Sequence, residues 1–324
     1  MNQRLGLLLL LTLACGGSSG ADSSGETTGS DGSGSAAPVA VAEGEPTIPE
    51  SARVPLTEVE LLDPGEGERV ALRLTSEVGQ REQMRLEQVM TMQIQVGAQQ
   101  APRVEMPPIR MDMEMETTHV GDDGAMRHAS RITNLEVLGE GPLVPRLEQD
   151  LGPLRDMTGW DVVDARGRMV AGEYELPGSA SPELRNSLQR TQDALRQLMP
   201  PLPEEPVGVG ARWQAVSDIR SQIAFRQVST YTLESMEGKR IVLTVQTEQT
   251  GDPQPMASDQ PGVTAELLAF EGEASARIEL TLDRLAPTSD GNVAVELTTR
   301  ATAEGHPPQE VTMAMTTAVK ASPL

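Results

Sequence analysis

Aromatic residues are scarce in this 324-residue chain, which has two Trp, two Tyr and two Phe. A core must therefore be built from aliphatic side chains and from the 16 methionines, whose flexible thioethers fill irregular space. A single cysteine excludes a disulfide framework within the chain. Basic residues are few against 48 acidic ones, and the net charge of -22 makes nucleic acid a poor partner.

Sequence motifs for catalysis are also missing. The sequence has no Gly-x-Ser-x-Gly elbow, no phosphate-binding loop and no His-Glu-x-x-His pair. Its three histidines, His119, His128 and His306, are isolated, and a surface or strand-facing position is the better interpretation of each. A hairpin would bring His119 and His128 near one another. We expect a non-enzymatic protein with no metal centre and no cofactor.

The first residues have the pattern of an export signal. Arg4 supplies a positive charge, and the apolar run at residues 5–13 is too short to span a bilayer. Ala14 then directly precedes Cys15. This segment resembles the lipobox of bacterial lipoproteins, although Thr12 stands where that family usually has Leu. The resemblance implies cleavage of signal peptide 1–14 and acylation of the Cys15 sulfur with palmitate-like chains. The alternative is an ordinary secretory signal with an incidental cysteine.

A lipid on Cys15 would anchor the chain to a membrane of the cell envelope, facing an extracytoplasmic compartment. Two or three acyl chains hold stably, whereas one is marginal at about 0.8 kcal/mol per buried methylene. Gly16 is not the Asp that retains lipoproteins in the inner membrane, so the resemblance favours the outer membrane. Residues 15–50 have few apolar side chains to bury, and the first part of this segment consists mostly of Gly, Ser and acidic residues. This composition predicts a disordered tether.

The remaining residues, 51–324, have the pattern of a β-rich domain. Between residues 81 and 96 apolar and polar residues alternate, the period of a strand with one buried face. The alternation returns at residues 109–138 around a Gly-Asp-Asp-Gly turn, which predicts a hairpin. A second hairpin is predicted at residues 160–176. These patterns predict a mainly β domain built on a large antiparallel sheet.

The C-terminal part continues with predicted strands, among them residues 265–270 and 274–285. Turns are predicted at residues 237–238 and 289–292, where glycine interrupts the strand pattern. One central α-helix is predicted at residues 181–199, where leucines recur at helical spacing between proline signals. The strands on its two sides look loosely alike, so a duplication is an open interpretation. Its halves would be residues 65–178 and residues 203–322.

The segment from Pro203 to Trp213 reads Pro-x-x-Pro-Val-x-Val-Gly-x-x-Trp. With the strand and helix order, it resembles a family of uncharacterised bacterial exported proteins and lipoproteins. More distantly, the chain is similar to the half-barrel carriers of lipoprotein localisation. The resemblance implies a large curved antiparallel sheet or half-barrel that holds an apolar ligand, and it brings no known activity.

Methionines at alternate positions are the unusual feature of the strands. In a strand such a spacing directs the thioethers to one face. Three interpretations are open: the methionines fill a core that is poor in aromatic residues, they line a site for an apolar or lipid-like ligand, or they bind Cu(I). The leading hypothesis is a lipid-anchored protein that binds such a ligand or an envelope partner protein; the alternatives are a structural or assembly lipoprotein and Cu(I) binding. The methionines concerned are Met90, Met92, Met111, Met113, Met115, Met313 and Met315.

Overall fold

The structure is a computed structural model, and it describes residues 48–54, 56–178, 199–220, 223–256, 258, 262–303 and 305–324. The predicted signal peptide and most of the predicted tether lie outside the described residues. So does the helix predicted at residues 181–199, apart from Met199.

Most described residues belong to β-strands. The strands in the first part of the chain are β1 (Glu58–Asp63), β2 (Glu66–Val70), β3 (Arg81–Val96), β4 (Gln99–Gln100), β5 (Val104–Glu105), β6 (Ile109–Val120), β7 (Met126–Val137), β8 (Thr158–Val163) and β9 (Met169–Glu175). Those in the second part are β10 (Val207–Val209), β11 (Arg212–Arg220), β12 (Ala224–Glu237), β13 (Arg240–Gly251), β14 (Gln254–Met256), β15 (Val263–Thr281), β16 (Thr288–Ala303) and β17 (Gln309–Pro323). The helices are α1 (Val144–Leu151) and two 3-10 turns at Glu50–Ala52 and Gly152–Asp156.

One large antiparallel sheet contains nearly all of these strands, which confirms the predicted fold class. Its order is β1-β11-β12-β13-β15-β16-β17-β3-β6-β7-β8-β9, and β2 and β10 form a separate small pair. The two parts of the chain meet where β17 runs antiparallel to β3, from Val311 opposite Val96 to Pro323 opposite Met84. The strands on either side of residues 179–198 are thus parts of one sheet.

The sheet is curved so strongly that its two edges approach each other. Twelve strands laid flat would separate β1 from β9 by about 50 Å, at about 4.8 Å per strand. Yet Arg53 pairs with Ala171 of β9, at one edge of the sheet, and Glu58, five residues later, belongs to β1 at the other edge, where it pairs with Val216. Five residues span at most about 18 Å, so the edges lie within reach of this short connection. The sheet is nevertheless not closed into a barrel.

Alternation located the long strands well because it is a local property of the chain. The strand predicted at residues 81–96 is β3, and the hairpins predicted at residues 109–138 and 160–176 are β6–β7 and β8–β9. The turn at residues 237–238 is also confirmed, with Gly238 at a φ of 60° between β12 and β13. These turns have φ values that glycine adopts without strain.

Two predicted interruptions of strands were wrong. Residues 289–292 lie inside β16, where Gly291 faces Ala276; a Cβ on Gly291 would come within 2.7 Å of the Ala276 Cβ. The break between residues 270 and 274 is likewise absent, because β15 runs through Gly272, where a Cβ would come within 2.5 Å of the Gln249 side chain. Both glycines permit close packing of neighbouring strands and do not form turns.

Some elements were not predicted. Helix α1 occupies a proline-containing stretch; proline is accepted in its first turn, and Leu147 and Leu151 are buried one turn apart. Strand β1 pairs with β11, and β2 with β10, across about 150 residues of sequence. Pairing over that separation leaves no local pattern in the sequence.

The buried side chains of the described residues form three clusters. The first packs α1 against β6 and β7, the second surrounds Trp213 and Tyr231, and a smaller third contains Leu267 and Phe270. An extended segment at residues 74–75 connects the first and second parts of the sheet. The Leu74 N–H donates to the Ala165 carbonyl and the Thr75 N–H to the Leu282 carbonyl, each at 2.8 Å. This segment ties the β8–β9 turn to the turn between β15 and β16.

A charged pair on β3 and β6 should make stability depend on pH. Arg85 Nε and Nη2 donate to the two Asp112 carboxylate oxygens at 2.7 and 2.8 Å. The Asp112 side chain is only 11% exposed, and the hydrogen bond from Arg85 lowers the pKa of that carboxyl below its ordinary value of 3.8. A lowered folded-state pKa stabilises the protein above the unfolded-state value, and this contribution is lost as pH falls through the folded-state value.

We expect Arg85→Met to lower the free energy of unfolding by about 2 kcal/mol at pH 7, because it leaves a buried carboxylate unpaired. The loss should shrink as the pH falls below about 4. Asp112 then becomes protonated first in the variant and, at lower pH, in the natural protein, so the unpaired charge disappears. Urea titrations at both pH values measure the difference. Arg81→Met is the control, since the Arg81 side chain is 64% exposed and its ion pair with Glu116 should contribute little to stability. A loss that is equal for both variants, or constant with pH, would contradict the argument.

Candidate functional site

A cavity of about 120 Å³ lies between strands from the first part of the chain and strands from the second part, which the curvature of the sheet brings together. Strands β3, β6, β7, β8 and β9 contribute to one wall, and β12, β15 and β16 contribute to the other. The segment at Leu74 and Thr75 borders it, as do Met199 and Pro200, which follow the undescribed residues 179–198. The cavity thus lies at the junction that the sheet's curvature creates, and neither side would form it alone.

The cavity wall is mostly apolar and rich in methionine. Aliphatic side chains such as Leu86, Val163 and Ile278 supply part of it. Methionine side chains repack easily, because they are unbranched and have three rotatable bonds. The wall can therefore adapt to guests of different shape. The methionines that line it are Met84, Met115, Met126, Met169 and Met199.

A histidine–aspartate pair stands in this apolar wall. His128 on β7 lies directly opposite Asp161 on β8, and its Nδ1 is 3.0 Å from the Asp161 Oδ2. The two side chains are 12% and 15% exposed, so water has little access to either. Strand alternation directs His128 to the same face as Met126, which is buried among the core residues near Trp213.

The other ring nitrogen of His128, Nε2, is buried, and none of the described residues forms a hydrogen bond with it. A buried polar atom without a partner is uncommon in folded proteins and calls for an explanation. No described hydroxyl is bonded to Nε2. In the neutral ring with its hydrogen on Nδ1, Nε2 can accept a hydrogen bond.

Most of the seven methionines singled out from the sequence lie outside the cavity wall. Pairing of β3 with β6 and β17 brings them to one face, with Met92 directly opposite Met315. Most are packed inside the core, and of the seven only Met115 lines the cavity. The buried ones are Met90, Met92, Met111, Met113 and Met315, while Met115 and Met313 are half-buried.

The three histidines also lie in different surroundings. His119 pairs with Arg127, after an irregularity in the β6–β7 register, whereas His128 pairs with Thr117. Since residues 127 and 128 point to opposite faces, His119 and His128 are neighbours along the hairpin but do not share a face. His306 is exposed in the turn after β16. Of the three, only His128 borders the cavity.

Asp161 was not identified from the sequence. It follows Trp160 in a short strand and differs from the many surface carboxylates only in its face and its partner. An inward-facing acid in an otherwise apolar row is a weak signal. It becomes meaningful only when the β7–β8 register places that acid beside His128.

A larger hollow of about 650 Å³ lies elsewhere on the sheet. Much of its lining is exposed and small or polar, including Asn292, Ala294, Thr316 and Ala318. Such a surface buries little of a small ligand, and ligand sites usually enclose most of the ligand's surface. The Met-lined cavity with its unpaired nitrogen is therefore the better candidate.

Comparison with known proteins identifies no curated protein that matches the chain. Within the described residues, no helix is both long and apolar enough to cross a membrane. Residues 187–284 include Tyr231, Ile278 and Arg284 of the cavity wall, but neither His128 nor Asp161. Over residues 187–284, this chain matches DUF6263, a family of unknown function.

Proposed function

We propose that this chain is a lipid-anchored protein of the cell envelope whose folded part binds a small apolar or lipid-like ligand without catalysing a reaction. The observation that carries the binding proposal is the partly enclosed, Met-lined cavity between the first and second parts of the sheet. The anchor rests on the lipobox-like sequence that ends at Cys15. Anchoring would hold the binding domain at a membrane, where apolar ligands are concentrated.

The volume of the cavity limits the ligand. Its 120 Å³ is close to the roughly 150 Å³ of an engineered cavity that holds benzene, and below the roughly 300 Å³ at which drug-sized pockets begin. A whole acyl chain does not fit the cavity in this conformation. We therefore propose a guest of about benzene's size, or a larger lipid-like molecule that inserts one end while the methionines repack.

Filling the cavity should abolish binding. Ala321 is buried in β17 and lines the cavity, so Ala321→Phe would occupy part of its volume. With ¹³C-methyl-labelled methionine, we expect toluene to shift the Met115 and Met126 signals of the natural protein and to leave those of Ala321→Phe unchanged. The chain would carry Cys15→Ala, so that no detergent competes for the site.

The control is Ala318→Phe, on the same strand but exposed on the opposite face. It should retain the toluene response. Thermal unfolding of both variants checks that the added ring, which costs about 1–3 kcal/mol in a packed core, leaves the fold intact. Toluene shifts that persist in a folded Ala321→Phe protein, or that are absent from the natural protein, would remove support for the ligand. The structural or assembly role would then become the better proposal.

A further inference from the structure

The unpaired nitrogen of His128 indicates what kind of ligand the cavity takes. A carboxylate can only accept hydrogen bonds, so the hydrogen between His128 and Asp161 belongs to the Nδ1 atom of the ring. In neutral imidazole the second nitrogen then carries a lone pair and acts as an acceptor. Asp161 thus selects the tautomer in which Nε2 accepts a hydrogen bond.

We propose that the ligand is an apolar molecule with one hydroxyl or N–H group, which donates a hydrogen bond to His128 Nε2. This inference rests on the proposed binding function and adds the polar contact that orients the ligand. His128 is the binding residue, and Asp161 is a positioning residue that holds its ring. Ligand sites commonly combine an apolar wall with a few placed polar groups, which is the composition of this cavity.

A buried water is a poorer explanation of the unpaired atom. A stable buried water makes about three hydrogen bonds. Around His128 the wall consists largely of apolar side chains such as Met126, Val163 and Met169. Nε2 is buried in this conformation, so a ligand in the cavity reaches it when the flexible methionines of the wall repack. An apolar ligand with a single donor then needs only this one acceptor, and its remaining surface contacts these side chains.

The test compares two probes of similar size, phenol and toluene, which differ by one hydroxyl group. Their affinities are measured by calorimetry for the full chain carrying Cys15→Ala, and again with His128→Phe added. The phenylalanine ring preserves most of the volume and removes both nitrogens. We expect the ratio of phenol affinity to toluene affinity to fall by about tenfold or more in the variant, because the phenol hydroxyl would be buried unpaired.

The ¹⁵N signals of His128 give a second readout that does not depend on whether His128→Phe folds. Without ligand they should report a hydrogen on Nδ1 and a free lone pair on Nε2. Phenol should shift the Nε2 signal in the direction of an accepted hydrogen bond, and toluene should not. Asp161→Ala should lose the fixed tautomer and most of the phenol preference while it still binds toluene.

The outcomes separate the two proposals. If phenol and toluene bind, but their affinity ratio is the same with and without His128 and phenol leaves the Nε2 signal unchanged, the polar contact is refuted and the apolar site stands. If neither probe binds the natural protein, the ligand-binding function itself is refuted. Phenol preference that depends on His128 supports both.

Discussion

Replacing Trp213 by alanine is expected to lower the free energy of unfolding by about 3–5 kcal/mol, the largest stability effect that we predict. The ring is completely buried in β11 and stacks on Tyr231, with 5.7 Å between ring centroids. Its Nε1 donates to the Pro201 carbonyl at 2.8 Å. The substitution therefore leaves a cavity and also deprives a buried carbonyl of its donor.

The effect should extend to the binding site, because Pro201 adjoins the wall residues Met199 and Pro200. Calorimetry should show a melting temperature lower by roughly 10 °C. Trp213→Phe separates the two causes: it keeps most of the packing, loses the hydrogen bond, and should cost about 1–2 kcal/mol beyond the small change in volume.

The other tryptophan supplies the control. Trp160 on β8 is half-buried, and the Arg127 guanidinium lies over its ring, 4.2 Å from the ring centroid. We expect Trp160→Ala to cost about 1 kcal/mol. Equal losses for Trp160→Ala and Trp213→Ala would mean that Trp213 is not the centre of its core cluster.

Replacing Cys15 by alanine is expected to move nearly all of the protein from the membrane fraction to the soluble fraction. A thioether-linked pair of acyl chains contributes about 0.8 kcal/mol per buried methylene, which is enough for stable attachment. The rest of the chain offers little attraction, because a net charge of -22 is repelled by anionic lipid headgroups. Fractionation and whole-protein mass spectrometry of both forms measure the change.

Ser18→Ala is the matched control, since it alters the same segment without removing the thiol. It should stay in the membrane fraction and carry the same added mass. A natural protein without a lipid mass, or a Cys15→Ala protein that remains membrane-bound, would contradict lipid anchoring. The binding proposal would survive either result, because the cavity is formed by the folded part alone.

The sequence by itself determined most of the long strands and which face of each is buried. Alternation identified β3, β6 and β7 nearly to the residue, because the period of two is fixed by backbone geometry within each strand. It also predicted that methionine replaces aromatic residues in the core, as the burial of Met90 and Met113 confirms. Glycine was less informative: at Gly238 it forms a turn, and at Gly291 it permits close packing within a strand.

Only the tertiary structure decided which strands are neighbours and which side chains border the cavity. Strand β1 pairs with β11 across about 150 residues, and the sheet curves until its edges nearly meet. The same curvature selects Met126 and Met169 for the cavity wall and buries Met111 in the core, although all three lie in strands. His128 and Asp161 become a pair through the register of β7 and β8. Such long-range pairing depends on the total packing of the sheet, and a local pattern of residues does not encode it.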